Sequence, residues 1–213
     1  MIINHDHPAY RKRWSKSGAN RFNGAFFYSK EITKNIIPLI DTDRSWITIN
    51  VPGYGCDHAI VFIHNNIHPE HYDWLAQYDD LVLVCGIPET CEKVQHLGKA
   101  VYLPLSIDLE NVSQYKRPKT KKAAFVGRRA KRKNIELPPD IDYLEGMPRT
   151  KLLPAIAEYE EVYAVGRCAL EAKALDCKIK PYDPRFPDTE RWQVIDNRQA
   201  AGMLQALLDE IDK

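Results

Sequence analysis

The chain has 213 residues, 44% of them hydrophobic and 28% charged, which is enough apolar material for one domain or two small ones and excludes disorder as the main state. The formal net charge is only +1, so the molecule as a whole is no generic polyanion binder, although two basic blocks stand out, Tyr10 to Arg21 and Lys116 to Lys133. Five widely spaced cysteines (Cys56, Cys85, Cys91, Cys168, Cys177) without a C-x-x-C pair argue against a disulfide framework and a structural zinc site.

The opening MIINHDHPAYRKRW lacks an apolar run of signal-peptide length. No later segment approaches the roughly 18 to 20 apolar residues that cross a bilayer. No membrane span and a cytoplasmic location are the expectations.

Short runs rich in Val, Ile and Leu alternate with stretches of helical spacing, the pattern of an α/β chain with mostly parallel sheets. In chain order the predicted strands are WITIN (46–50), AIVFIH (59–64), LVLVCG (81–86) and AVYLPL (100–105), then AAFVG (123–127), IDYLEG (141–146), EVYAVG (161–166) and KIKPYD (178–183). Between the third and fourth, PETCEKVQHLG reads as a helix with Pro88 in its first turn, Glu89 beside its positive end and Gly98 at its C-terminal cap. TKLLPAIAEYEE and QAAGMLQALLDEI also read as helices, the latter with Ala201, Leu204, Leu208 and Ile211 on one face. Polar, charged and containing Pro118, the segment NVSQYKRPKTKK (111–122) is the expected boundary between two halves, residues 1–115 and 116–213.

Ligands of open α/β sheets bind beyond the carboxyl ends of the strands, so the loops there are where chemistry is expected. In AVGRCALEAKAL, Gly166 at a strand's end lets a ligand approach the backbone, the N–H groups of the next helical turn suit a phosphate, and Glu171 one turn further in is placed to accept from a ribose diol. On these residues alone, a tight turn followed by a solvated helix glutamate is the simpler reading. GRRAKRK after AAFV adds a second glycine followed by cations, which suits a diphosphate clamp as well as it suits a solvated basic loop. HNNIHPEHYDW groups His64, His68 and His71, but Pro69 interrupts the spacing a metal site would use, and His64 reads as a polar strand-end residue facing an interdomain cleft or as a satisfied structural histidine. No metal site is expected.

The order of these parts resembles the two-domain GT-B glycosyltransferases, specifically their retaining branch with an E-G-F-G-x-x-x-x-E-A donor motif. IVFIHNN, the run LAQYDDLVLVCGIPETCEKVQHLGKAVYLPLSIDLENV, AFVGRRAKRK and YAVGRCALEAKALDCKIKPYD carry the resemblance, which spans most of residues 24 to 210. It implies two small Rossmann-like domains facing each other across a cleft, with a trimmed acceptor domain at residues 1–115 and a donor domain at 116–213. It implies donor-diphosphate contacts from Gly127, Arg128, Lys133, Gly166 and the Arg167 backbone, a ribose contact from Glu171, His64 near the transferred sugar, and Gly24 near the acceptor.

The implied reaction is a metal-independent hexosyl transfer from a nucleotide sugar, with no cofactor, to an unidentified acceptor. His64 and Arg128 are the implied catalytic residues. A modified base in DNA is one acceptor that a compact, basic acceptor half would suit. Tyr163 stands where the family has its first, sugar-contacting glutamate. Two other readings follow: a nucleic-acid-binding protein whose basic blocks line a groove, and a non-catalytic GT-B scaffold.

Overall fold

The structure is a computed structural model that describes residues 2–3, 32–41, 46–49, 59–63, 81–127, 137–184, 186 and 189–211. The chain divides into two compact units, residues 1–103 with 198–213, and residues 104–197. Every strand pairing among the described residues is parallel, and the protein is α/β with Rossmann-like topology.

The first unit holds a five-stranded sheet in simple chain order: β1 (Ile2–Ile3), β2 (Trp46–Ile49), β3 (Ala59–Ile63), β4 (Leu81–Cys85) and β5 (Lys99–Tyr102). All five residues of β4 are buried, as expected of a parallel strand covered on both faces, where β-branched and aliphatic residues run on without alternation. Val61, Ile63, Leu83 and Cys85 pack with Val94 and Leu97 of the β4–β5 connection. That connection is α1 (Pro88–Val94), followed by a 3-10 turn at Gln95–Leu97 that Gly98 terminates at φ 151°. Pro88 opens the helix as its sequence signal predicts, because a proline in the first turn gives up no intrahelical bond. Elsewhere in this unit, Ile32 and Ile36 are buried on a π-helical turn that passes into a 3-10 turn at Ile37–Leu39.

The second unit contains β6 (Ser106–Ile107), α2 (Leu109–Ser113), β7 (Lys121–Phe125), β8 (Asp142–Tyr143), α3 (Arg149–Ile156), β9 (Tyr159–Tyr163), α4 (Arg167–Ala174), β10 (Lys178–Lys180) and β11 (Ile195–Asp196). Its main sheet has the order β10-β9-β7-β8, and β11 pairs with β6 apart from it. The last helix, α5 (Asn197–Ile211), begins at the end of this unit and otherwise belongs to the first. It buries Ala200, Ala201, Leu204, Leu207 and Leu208 along one stripe.

All eight predicted strands are present. Among the described residues the unanticipated strands, β1, β6 and β11, are two residues long, too short to leave a periodic signal. The helix read from TKLLPAIAEYEE stops at Ile156, and its last residues become β9. Competing tertiary bonds explain the difference: the Glu158 carbonyl accepts from the N–H groups of Thr120 and Lys121 at 2.8 and 2.9 Å, and buried Tyr159 donates its hydroxyl to Asp142 at 2.8 Å. Burial holds the Tyr159 phenol above its ordinary pKa, and the Asp142 hydrogen bond and charge push the same way.

The ends of α3 and α4 share one cation. Lys119 donates to the carbonyls of Ala157 at 3.0 Å and Leu175 at 2.6 Å, just past the two helices, and to the Cys177 sulfur at 3.3 Å. An ammonium at two helix C-termini meets the negative end of both dipoles and satisfies carbonyls that have no intrahelical donor.

Candidate functional site

The strand order of the second unit points to a candidate site. Its first long strand, β7, lies inside the sheet, with β8 on one side and β9 on the other. The chain therefore leaves β7 toward one edge and, after β8, returns across it to build toward the other. That reversal between β7 and β9 is a topological switch point, the kind of place where open α/β sheets bind ligands beyond the carboxyl ends of their strands. Phe125 and Tyr163 are in register there, and the Val126 N–H donates to the Tyr163 carbonyl at 3.0 Å, holding the two strand exits side by side.

Gly127 and Gly166 follow these two exits. Gly166 has φ 63° and ψ −140°, a conformation closed to residues with a Cβ, and forms the N-cap of α4. Among the described residues nothing lies within 4 Å of where a Cβ would project. Gly127, at φ 155°, is crowded instead: a Cβ would meet the Phe125 ring at 3.3 Å and the Tyr182 hydroxyl at 3.6 Å. Phe125 packs edge-on against Tyr182 and also contacts Tyr143, which is 41% exposed on the neighbouring strand.

Glu171 lies on α4, and it is buried at 2% exposure, so the solvated-glutamate reading of this helix does not hold. One of its oxygens, Oε1, accepts from Arg167 Nε at 2.9 Å and meets the Arg149 guanidinium at 2.5 Å. Arg167 sits four residues earlier on the same helix, the spacing that puts two side chains on one face. Arg149 is the first residue of α3. Parallel α/β connectivity brings both helix N-termini to the carboxyl edge of the sheet, so the triad stands beside the switch point with one net positive charge among its three groups. Arg149 remains 39% exposed and Arg167 24%.

Of the residues singled out from sequence, the structure brings together Gly166, Arg167 and Glu171, with Gly127 on the adjacent strand exit. His64, which follows β3 in sequence, and Arg128, Lys133 and Gly24 lie outside the described residues. Arg149 is the member that sequence reasoning missed. Its signal was present in EGMPRTKLL, where Gly146 and Pro148 end a strand and start a helix with an arginine in its first turn.

Four cations between Lys116 and Lys121 have partners within the second unit. Lys116 pairs with Asp176 at 2.9 Å, Arg117 and Lys121 with Glu158 at 3.5 and 2.8 Å, and Lys119 is occupied by the helix-end carbonyls. The Lys121 hydrogen bond holds the Glu158 carboxyl below its ordinary range.

Among the described residues no three His, Cys, Asp or Glu side chains are grouped to hold a metal ion. No helix among them is long and apolar enough to cross a membrane. Buried Cys85 and Cys177 have their thiols pushed up by desolvation, which disfavours the reactive thiolate. Comparison of the chain with protein-family models, curated proteins and solved structures found no match.

Proposed function

We propose that the chain is a glycosyltransferase of GT-B type that binds a nucleotide-sugar donor at the switch point of its second unit. The observation that carries this reading is the pairing of Gly127 and Gly166 on adjacent strand exits, with Arg149 and Arg167 beside them. Close backbone approach, helix N-terminal dipoles and guanidinium groups are what a diphosphate needs. Arg128 and Lys133 follow Gly127 in sequence and belong to the same proposed phosphate site. Glu171 belongs to its protein wall.

In the proposed reaction the bond between the anomeric carbon and the diphosphate oxygen breaks, and an acceptor oxygen forms the new bond on the same face of the sugar. The acceptor's proton passes to the departing diphosphate. Negative charge grows on that leaving group, so cations and helix N-termini aimed at it stabilise the transition state more than the ground state. Arg128 is the residue assigned part of that charge, and His64 and Gly24 are those assigned to the sugar and the acceptor.

Incubation with UDP-, GDP- and ADP-sugars, with release of nucleoside diphosphate as the readout, tests the reading. Slow donor hydrolysis that is lost in Arg128→Ala supports it. Donor binding without hydrolysis or transfer to any acceptor would instead indicate a scaffold.

A further inference from the structure

We infer that Arg149 is a ligand-binding residue, and that Glu171 is a positioning residue which locks Arg149 and Arg167 into a two-guanidinium clamp for a diphosphate. The ligand class rests on the nucleotide-sugar reading above; the clamp rests on the geometry.

Arginine side chains are long and flexible, and holding one at a fixed place costs rotamer entropy unless a partner is already rigid. Here the partner is rigid. Glu171 is 2% exposed on a helix whose neighbours Ala169, Leu170, Ala172 and Ala174 are all buried, so its carboxylate has little freedom. A single oxygen of this anchor takes Arg149 from α3 and Arg167 from α4, fixing cations from two connections at the carboxyl edge of the sheet, where the strand order reverses. A guanidinium carries five N–H donors in a planar fork, so the contact to Oε1 leaves Arg149 capacity for a second anion. Its partial exposure at that edge makes the capacity reachable.

This gives Glu171 a role different from a direct ribose contact, and the two roles separate by experiment. The full chain is titrated calorimetrically with inorganic pyrophosphate and with UDP, GDP and ADP, using wild type, Arg149→Gln, Arg149→Lys and Glu171→Gln, each checked for an intact melting transition. The clamp predicts that pyrophosphate binds wild type and weakens about tenfold or more in Arg149→Gln. Arg149→Lys, which keeps charge and fold but loses the planar fork, weakens by a smaller factor. It also predicts that Glu171→Gln weakens pyrophosphate although it removes a negative charge, because the arginines lose their anchor. A ribose contact alone would leave pyrophosphate affinity unchanged or tighter and reduce only nucleotide affinity, which would overturn the positioning role. Pyrophosphate binding equal in wild type, Arg149→Gln and Arg149→Lys, or no pyrophosphate binding to wild type, overturns the clamp. Pyrophosphate bound through Arg149, with no nucleotide binding more tightly than it, supports the clamp and contradicts the nucleotide-sugar reading.

Discussion

Arg149 and Glu171 belong to successive helices, yet their side chains meet at 2.5 Å. The contact ties the loop that leaves β8 to the helix that follows β9, across the strand β7 that separates them in the sheet. Because Arg167 meets the same oxygen, the buried carboxylate always retains a cation when one arginine is removed.

That redundancy predicts non-additive stability. Arg149→Gln and Arg167→Gln should each cost about 1 kcal/mol, since one partly exposed cation remains on the carboxylate. The double variant leaves Glu171 buried without either arginine and should cost about 3–5 kcal/mol, more than the sum. Urea-unfolding midpoints of the four proteins measure this, and strict additivity would show that the carboxylate finds water or another donor.

Gly166 and Gly202 make a matched pair. Among the described residues neither meets an atom from elsewhere in the chain within 4 Å of the place where an added methyl would project, but Gly166 sits at φ 63° while Gly202 lies inside α5. Gly166→Ala should destabilise by about 1–3 kcal/mol through backbone strain alone. Gly202→Ala should stabilise by about 0.5–1 kcal/mol by lowering the entropy of the unfolded chain. Thermal unfolding of the two variants should therefore shift in opposite directions.

Lys119 closes two helices at once. Lys119→Met keeps most of the aliphatic stem and removes the donors to Ala157 and Leu175, so it should cost about 2 kcal/mol. A loss below a few tenths of a kcal/mol in chemical unfolding would mean that water replaces the ammonium at no cost.

The buried phenol of Tyr159 gives the second unit a defined alkaline limit. Its folded pKa is raised, so the unfolded chain releases this proton first, and the stabilisation is complete below about pH 10, the unperturbed tyrosine value, and declines as pH rises through the folded pKa. Tyr159→Phe removes the hydrogen bond to Asp142 and this proton linkage together. Wild type should exceed the variant in stability at neutral pH, and the difference should shrink above that pH. A constant difference would contradict the assignment.

The sequence made the strands legible because parallel strands buried on both faces read as apolar runs, and LVLVC is buried throughout as its composition implies. Gly166 was legible as the hinge of a strand-to-helix turn. The burial of Glu171 was not, because its partner Arg149 lies on another helix and no local pattern reports a contact across a crossover. The early end of α3 was hidden for the same reason: residues 157–161 have acceptable helical spacing, and the bonds that the Glu158 carbonyl accepts from Thr120 and Lys121, the Tyr159 hydroxyl's bond to Asp142 and the ladders to β7 and β10 draw them into the sheet. The switch point, too, follows from strand order, which spacing along the chain does not specify.

Binding of a nucleoside diphosphate at the exits of β7 and β9 is the claim on which the proposed function stands. The most direct measurement is the melting temperature of the wild-type chain and of Glu171→Ala with UDP, GDP, ADP and their sugars at millimolar concentration. A ligand at 100 times its Kd stabilises the native state by about 2.7 kcal/mol, a shift of several degrees for a chain of this size. One nucleotide family should give such a shift in wild type and lose it in Glu171→Ala; no shift with any nucleotide, or an equal shift in both proteins, would contradict the claim.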